Sequence, residues 1–255
     1  MPETETKKET SKERKISAGN YDLNVWLHGG YDKDIITTIY GPAGSGKTNL
    51  CLLAAASRAR KGEKVIFVDT EGGFSIDRLK QLSGEDFEKI AANIILLKAT
   101  SFNEQEKAFS QLVEQIEGKE HIGLIIIDGM TMLYRLELAA ASKSKDENKI
   151  RIINSKLAGM MKMLNEIARK QLIPIIVTNQ VYAEFLPKET YEAGAEKKVA
   201  MVGGDILKYW SKCIIELQNL GQKKKAILRK HRSLPEKEFY FVITQNGIAR
   251  ARRFF

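Results

Sequence analysis

The chain has 255 residues, of which 43% are apolar and 29% are charged, and its formal net charge is +9. These values are typical of an ordinary soluble protein with one large domain, and they make a polyanion a candidate partner, although a solvated basic surface explains the charge equally well. No apolar stretch approaches the roughly 18 residues needed to span a bilayer, which excludes an integral membrane protein.

The chain opens on a charged segment without apolar content. Residues 1–15 mix lysine and arginine with glutamate, and Met1 is their only large apolar residue before the chain changes character. This composition predicts a disordered tail. We expect the remaining residues, 16–255, to form a single domain.

From residue 16 onward, short β-branched runs alternate with longer helical periods. The predicted strands cover residues 35–40, 64–70, 94–98, 123–128 and 173–179, and helices are expected after Gly46, after Phe74 and over residues 104–117 and 148–170. This alternation predicts an α/β fold, with a mostly parallel, twisted sheet flanked by helices. After Gly204, apolar runs at residues 212–217, 224–230 and 238–244, with a turn at Asn246-Gly247, predict a C-terminal antiparallel extension.

The first strong motif is a glycine-rich segment between a predicted strand and a predicted helix. It fits the P-loop pattern G-x-x-x-x-G-K-[ST] and consists of Gly41, Pro42, Ala43, Gly44, Ser45, Gly46, Lys47 and Thr48. The glycines let successive N–H groups point inward, and the N-terminus of the next helix adds partial positive charge. Lys47 would bridge the β- and γ-phosphates and Thr48 would offer its hydroxyl to Mg²⁺, so we predict ATP and Mg²⁺ as cofactors.

Three other predicted strands end in side chains that suit the same chemistry. Asp128 ends an apolar run and can hold Mg²⁺ through its waters. Glu71 follows the strand at residues 65–70 and can polarise an attacking water. Gln180 ends the strand that finishes at residue 179, and its amide can bond the γ-phosphate or that water. A capping aspartate and a solvated turn glutamate are the structural alternatives for the first two.

Taken in this order, the motifs resemble the RecA-type recombinases over about residues 16–250. The similarity rests on Leu23-Asn24-Val25-Trp26-Leu27-His28-Gly29-Gly30, Tyr40-Gly41-Pro42, Asp69-Thr70-Glu71-Gly72-Gly73-Phe74, Thr178-Asn179-Gln180-Val181 and Lys230-His231-Arg232-Ser233. The resemblance implies a RecA-like P-loop NTPase core, and within the family it points to an archaeal paralogue of the main recombinase.

The resemblance also implies roles for individual residues. Asp128 would be the Walker B carboxylate, Glu71 the water-activating base and Gln180 the nucleotide sensor. Arg78 occupies the place of an arginine that stacks on the adenine in this family, and a planar guanidinium is suited to such stacking.

Lys230 and Arg232 stand two apart on a predicted strand, so their side chains should share a face. In relatives that form rings or filaments, such a Lys-x-Arg pair resembles the cationic finger that reaches the γ-phosphate of the neighbouring subunit. This reading implies a homo-oligomer. The alternative is a basic strand face that binds nothing.

Two features depart from full-length archaeal and eukaryotic recombinases. Only the short tail stands where those proteins carry an N-terminal helical DNA-binding domain, and the tail has no Phe-x-x-Ala segment of the kind that links their subunits into filaments. Both departures favour an accessory role over autonomous filament formation and strand exchange.

DNA contacts are expected in the two regions that follow the Asp128 and Gln180 strands, because these regions face DNA in RecA-type proteins. The candidate residues are Lys143, Lys145, Lys149, Arg151, Lys188, Lys197 and Lys198. The second region interleaves aromatic residues, which suits single strands, but it also holds four glutamates that would oppose a phosphate backbone. A further basic cluster spans residues 223–232 and 250–253, and is either a DNA patch or a solvated face.

The first functional hypothesis is therefore an ATP-binding and DNA-binding protein of homologous recombination and DNA repair, with a weak, DNA-modulated ATPase. The resemblance implies single-stranded and double-stranded DNA, the main recombinase and a Holliday-junction nuclease as partners. An ATP-driven regulatory switch of the circadian-clock KaiC type and a structural module with a residual P-loop are the alternatives. Cys51 and Cys213 show no metal-type spacing, so we expect reduced cysteines and a cytoplasmic location.

Overall fold

A computed structural model describes residues 14–118, 121–183, 199–201 and 203–252. The greater part of the predicted tail and the loop residues Lys188, Lys197 and Lys198 lie outside the described residues. The elements, in chain order, are β1 (Lys15–Ile16), α1 (Tyr21–Trp26), β2 (Tyr31–Asp32), β3 (Ile36–Tyr40), α2 (Lys47–Ala59), β4 (Lys64–Asp69), α3 (Ile76–Ser83), a 3₁₀ turn (Gly84–Asp86), α4 (Phe87–Ala91), β5 (Ile94–Lys98), α5 (Phe102–Glu117), β6 (Ile122–Asp128), α6 (Met132–Lys143), α7 (Glu147–Gln171), β7 (Ile175–Asn179), β8 (Val181–Ala183), β9 (Val199–Met201), α8 (Gly204–Trp210), β10 (Cys213–Leu220), β11 (Lys223–His231), β12 (Lys237–Thr244) and β13 (Gly247–Arg250).

A nine-stranded sheet dominates the molecule, in the order β13-β12-β11-β10-β3-β7-β6-β4-β5. The six strands from β10 to β5 are parallel to one another, and β11, β12 and β13 continue the sheet in antiparallel fashion. The predicted α/β class, the mostly parallel sheet and the antiparallel extension are thus confirmed. The first strand of the extension, β10, pairs antiparallel with β11 and parallel with β3, so it joins the extension to the parallel strands.

Helices cover both faces of the parallel strands. On one face α2 buries an apolar side together with α1, α3 and the β10–β13 strands. On the other face lie α5, α6, α7 and α8, and α7 contributes Ile153, Leu157, Met161 and Leu164 to that layer. Since β6 is buried on both sides along its full length, its sequence is a continuous apolar run rather than an alternating one.

Local signals in the sequence set the ends of several helices. The side chains of Ser75, Ser101 and Asp146 accept a hydrogen bond from the third backbone N–H beyond them and so cap α3, α5 and α7. The sequence predicted a turn at Asn246-Gly247. In the structure residues 245 and 246 form that turn, and Gly247 is the first residue of β13. No helix within the described ranges is long and apolar enough to cross a membrane.

The topology brings the predicted motifs to one edge. Parallel strands all end at the same side of a sheet, and open α/β sheets bind ligands there. The P-loop, Glu71 and Gln180 follow β3, β4 and β7, and Asp128 is the last residue of β6. These four strands are consecutive in the sheet.

Candidate nucleotide site

The P-loop wraps around the side chain of its own lysine. The Lys47 ammonium donates to the carbonyl oxygens of Gly41, at 2.9 Å, and Pro42, at 3.0 Å. Burial lowers the pKa of Lys47, and the charges of Glu71 and Asp128 act in the opposite direction. Gly44 and Gly46 have φ angles of 69° and 98°, which side-chain-bearing residues rarely adopt. The helix α2 then starts without a side-chain cap, so its first N–H groups are left for an anion.

Thr48 and Asp128 meet beside the loop. The Thr48 hydroxyl donates to Asp128 Oδ2 over 2.7 Å, and the Thr178 hydroxyl donates to Asp128 Oδ1 over 2.6 Å. Burial raises the pKa of Asp128, although these two hydrogen bonds counteract the rise. A methyl group at Gly73 would lie 3.1 Å from Thr48 Oγ1 and 3.3 Å from Asp128 Oδ2, so the absent side chain keeps this oxygen pair open.

Glu71 is held at the site by the structure of its own turn. Asp69 Oδ1 accepts hydrogen bonds from the N–H groups of Glu71 and Gly73, which fixes the turn after β4. Gly129 lies against this turn with φ of 93°, and a Cβ there would come within 2.6 Å of Glu71 Cγ. The turn glutamate is therefore packed against the end of β6 rather than freely solvated.

Gln180 contacts Glu71 directly. Its side-chain Nε2 donates to Glu71 Oε2 at 3.0 Å, while Glu71 Oε1 is buried without a hydrogen-bond partner among the described residues. Asn179 Oδ1 accepts the backbone N–H of Gln180 at 2.9 Å and also bonds the Thr131 hydroxyl. The predicted base and sensor thus form one unit, which also touches the start of α6.

Arg78 lies on α3 at the side of the P-loop helix. Its guanidinium donates to Asn49 Oδ1, to Gln81 Oε1 and to the carbonyl oxygens of Gln245 and Gly247, all between 2.8 and 3.1 Å. It therefore joins α2 and α3 to the β12–β13 turn. Its predicted stacking on adenine stays a prediction.

The Lys230 and Arg232 pair lies at the opposite edge of the sheet. The ammonium of Lys230 donates to the Lys208 carbonyl at 2.8 Å, and Arg232, one residue beyond the end of β11, pairs with Asp34 at 2.6 Å. The end of β11 lies beside the start of β10, and so beside the start of β3. A five-residue strand spans about 16 Å, so this pair is too far from the P-loop of its own chain, and its predicted action on a neighbouring subunit stays a prediction.

The first group of predicted DNA contacts surrounds the connection between α6 and α7. No helix was predicted over Met132–Lys143, where the structure has α6, whereas Lys149 and Arg151 lie on α7, where a helix over residues 148–170 was predicted. Lys143 ends α6, and Lys145 follows in the connection with φ of 54°. Lys149 pairs with Glu137 at 2.9 Å, and Arg151 lies 3.9 Å from Glu147 on the exposed side of α7.

The donor set fits a bound nucleotide with Mg²⁺. A hydroxyl and a carboxylate, the ligand types that Mg²⁺ prefers, lie side by side next to a glycine-lined anion loop. Ser45 Oγ and Glu71 Oε1 are buried polar atoms with no hydrogen-bond partner in the described part of the chain. Such atoms are costly unless a ligand or water bonds them.

Comparison with known proteins gives a consistent result. A family model described as Rad51 matches residues 10–251. The chain is 39% identical over 234 residues to the DNA repair and recombination protein RadB of Methanobrevibacter smithii, which covers 90% of the chain and 93% of that protein. The RadB proteins of Methanocaldococcus jannaschii and Methanococcoides burtonii are 39% and 38% identical, and the matches cover 98% and 99% of those proteins.

Proposed function

The chain belongs to the Rad51 family, and on that premise we propose that it is a DNA repair and recombination protein of the RadB type that binds ATP and Mg²⁺ at the P-loop. Its similarity to RadB proteins over nearly their whole length favours this function over the regulatory switch.

The observation that carries the nucleotide site is the convergence of four sequence-distant groups. Lys47 with Thr48, Glu71, Asp128 and Gln180 come from four different strand ends. Thr48 bonds Asp128, Gln180 bonds Glu71, and the charges of Glu71 and Asp128 both act on Lys47. A structural module that had lost its ligand would have no reason to keep a buried lysine and two carboxylates together, because buried charges are costly without function.

Each side chain then has a defined task. Lys47 would turn from the loop carbonyls to the β- and γ-phosphates, while Thr48 and Asp128 would hold Mg²⁺, which supplies charge neutralisation at those phosphates. Glu71 would accept a hydrogen bond from the attacking water through its unpartnered Oε1. Gln180 would keep the Glu71 carboxylate in orientation through the bond to Oε2.

Titration of a fluorescent ATP analogue with Mg²⁺ tests the nucleotide site. We expect Lys47→Ala to weaken binding by roughly 10- to 100-fold, since a charged hydrogen-bond donor contributes about 1.5–3 kcal/mol. Lys61→Ala, at an exposed lysine near the far end of α2, is the matched control and should bind as the wild type does. If a correctly folded Lys47→Ala protein bound the analogue as tightly as the wild type, the proposed nucleotide site would be wrong.

The proposal also covers ATP hydrolysis, DNA binding and protein partners. We propose a weak ATPase that DNA modulates, and an accessory role beside the main recombinase, with single-stranded and double-stranded DNA as ligands. The main recombinase and a Holliday-junction nuclease are the proposed protein partners. Contact of Lys230 and Arg232 with the nucleotide of a second copy would support hydrolysis in a homo-oligomer.

A further inference from the structure

The register of β10 against β3 places an asparagine beside the P-loop. The two strands run parallel, and their last pair is Glu216 with Tyr40. Three residues beyond that pair, the two segments have reached Asn219 and Ala43, and Ala43 belongs to the P-loop. The side-chain Nδ2 of Asn219 donates to the Ala43 carbonyl oxygen at 3.1 Å. The hairpin between β10 and β11 therefore contacts the loop that is proposed to hold the phosphates.

The base and the apex of the P-loop are held in different ways. At the base, Gly41 lies so close to β10 that a Cβ there would come within 2.4 Å of the Leu217 carbonyl oxygen. At the apex, Ala43 and Gly44 are exposed, and a Cβ at Gly44 would meet no other part of the chain within 4 Å. Among the described residues, Asn219 is the only one that hydrogen-bonds to either apex residue. The apex therefore depends on this bond for its orientation.

The bond to Ala43 also orients the N–H group of the next residue. A trans peptide is planar, and its carbonyl and N–H groups point in opposite directions. Because the Ala43 carbonyl is directed at Asn219, the Gly44 N–H points away from the hairpin. P-loops bind phosphate through backbone N–H groups, and a flipped Ala43–Gly44 peptide would present a carbonyl oxygen to the phosphates instead. Glycine tolerates many backbone conformations, so Gly44 itself does little to prevent that flip.

Lys224 sets the orientation of the Asn219 amide. It lies opposite Asn219 in the β10–β11 register, and its ammonium donates to Asn219 Oδ1 at 2.9 Å. An ammonium group can only donate, so it requires the amide oxygen, and the NH₂ group of the amide is left for the Ala43 carbonyl. The hairpin tip thus carries a chain of two hydrogen bonds, from Lys224 through Asn219 to Ala43.

We propose that Asn219 is a positioning residue of the nucleotide site, which fixes the Ala43–Gly44 peptide in its phosphate-binding orientation, and that Lys224 acts through Asn219. This inference rests on the proposed function, since it requires the P-loop to bind a nucleoside triphosphate. Asn219 acts on the phosphate side of the ligand, because its contact is with the apex of the P-loop. Its loss should therefore weaken every triphosphate, whatever base the ligand carries.

Titration of the fluorescent ATP analogue with Mg²⁺, followed by competition with inorganic tripolyphosphate, tests the role of Asn219. We expect Asn219→Ala to weaken both ligands by the same factor, about 3- to 10-fold, the effect of one lost hydrogen bond. Asn219→Asp should weaken them at least as much, since it keeps the bond from Lys224 but cannot donate to Ala43. Gln222→Ala, at an exposed residue of the same hairpin, is the matched control and should bind as the wild type does.

A double-mutant cycle tests whether Lys224 acts through Asn219. Lys224→Met should weaken binding of the analogue, Lys224→Arg should restore it, and Lys224→Met should have no further effect in the Asn219→Ala protein. Lys223→Met removes the same charge from the same hairpin tip, where Lys223 lies opposite Leu220. We expect it to have a smaller effect than Lys224→Met, because it leaves the Asn219 amide oriented.

The outcomes separate this inference from the proposed function. If the wild-type protein does not bind the analogue, the proposed nucleotide site is wrong and the inference fails with it. If the wild type binds and Asn219→Ala binds equally well, only the inference is wrong. Weaker binding of the analogue but not of tripolyphosphate would mean that Asn219 acts on the base. A fall in the denaturant midpoint that accounts for the lost binding would mean that Asn219 only stabilises the fold. Either result would overturn the inference, and additive effects of the two substitutions would overturn the role of Lys224.

Discussion

The hydrogen bond between Gln180 and Glu71 makes the two carboxylate oxygens of Glu71 different from each other. Gln180 occupies Oε2, and Oε1 remains buried and unpartnered, so only one oxygen of Glu71 is left for water. The strand ends identified both residues from the sequence, since carboxylates and amides after parallel strands meet at one edge. Their direct contact was not predictable, because they stand far apart in the chain and only the order β7-β6-β4 brings them together.

This arrangement predicts the effect of Glu71→Gln. The amide keeps the shape and can still bond Gln180, but it cannot take a proton, so we expect hydrolysis to fall by roughly 10²- to 10⁴-fold while ATP binding stays within a fewfold of wild type. Single-turnover hydrolysis and analogue binding measure the two effects. Equal loss of binding and hydrolysis would mean that Glu71 holds the nucleotide instead.

Glu216 links the strand before the P-loop to the C-terminal extension. Its Oε2 accepts from the Tyr40 hydroxyl at 3.0 Å and from Arg229 Nε at 2.6 Å, and Gln218 donates to Oε1. Burial by itself would raise the pKa of Glu216, but these hydrogen bonds and the Arg229 charge lower it below its ordinary value. Ionisation of the Glu216 side chain is therefore more favourable in the folded protein than in the unfolded chain.

A lowered pKa sets the pH range in which Glu216 stabilises the protein. Its contribution is present above the unfolded pKa of about 4.3 and is lost as the pH falls through the folded value. We expect Glu216→Gln to lower the melting temperature at pH 7, and the difference from wild type to shrink near pH 3. Thermal scans between pH 3 and 7 measure this, and a difference that does not vary with pH would contradict the ionic role.

Among the elements, the β12–β13 hairpin depends on a residue more than 160 positions earlier. Arg78 ties its turn to α2 and α3 through four hydrogen bonds. Ile243 of the same hairpin lies against Gly46, where a Cβ would approach its Cδ1 to 3.1 Å. The hairpin therefore forms one wall of the nucleotide site.

We expect Arg78→Ala to lower the free energy of unfolding by about 1–3 kcal/mol and to speed hydrogen exchange in the β12–β13 turn, because two carbonyls lose their donor. Arg78→Lys should rescue little, since one ammonium cannot reproduce the guanidinium fork. Denaturant titration with Arg151→Ala as the control makes the comparison. A stability loss without faster exchange at the turn would contradict the bridging role.

Elements with strong periodic or continuous apolar patterns were predictable, and the others were not. Strands such as β6 and the long helix α7 carry unambiguous signals. The helix α6 buries only Leu133, Tyr134 and Ala141 and exposes Leu136, so its pattern does not resolve into one apolar stripe. The helix α8 is seven residues long, too short for periodicity to establish.

Across the whole molecule, the net charge of +9 is unevenly neutralised. Lys149, Lys225 and Arg229 each form an ion pair with a glutamate, whereas Lys145 has no ion-pair partner among the described residues. We therefore expect Lys145→Ala to weaken single-stranded DNA binding and to lower the salt slope by about 0.7, and Lys149→Ala to have the smaller effect. Anisotropy at several salt concentrations decides between them, and equal effects would contradict this ranking.

The central place of β3 has a consequence for the synthesis of the chain. The strand that carries the P-loop pairs with residues 175–179 on one side and with residues 213–216 on the other, so its neighbours are translated long after it. Such distant pairings fold slowly, because the chain must close large loops first. A nascent chain that ends before β10 should therefore not bind ATP, and nucleotide capture would mark the moment at which the C-terminal strands have left the ribosome.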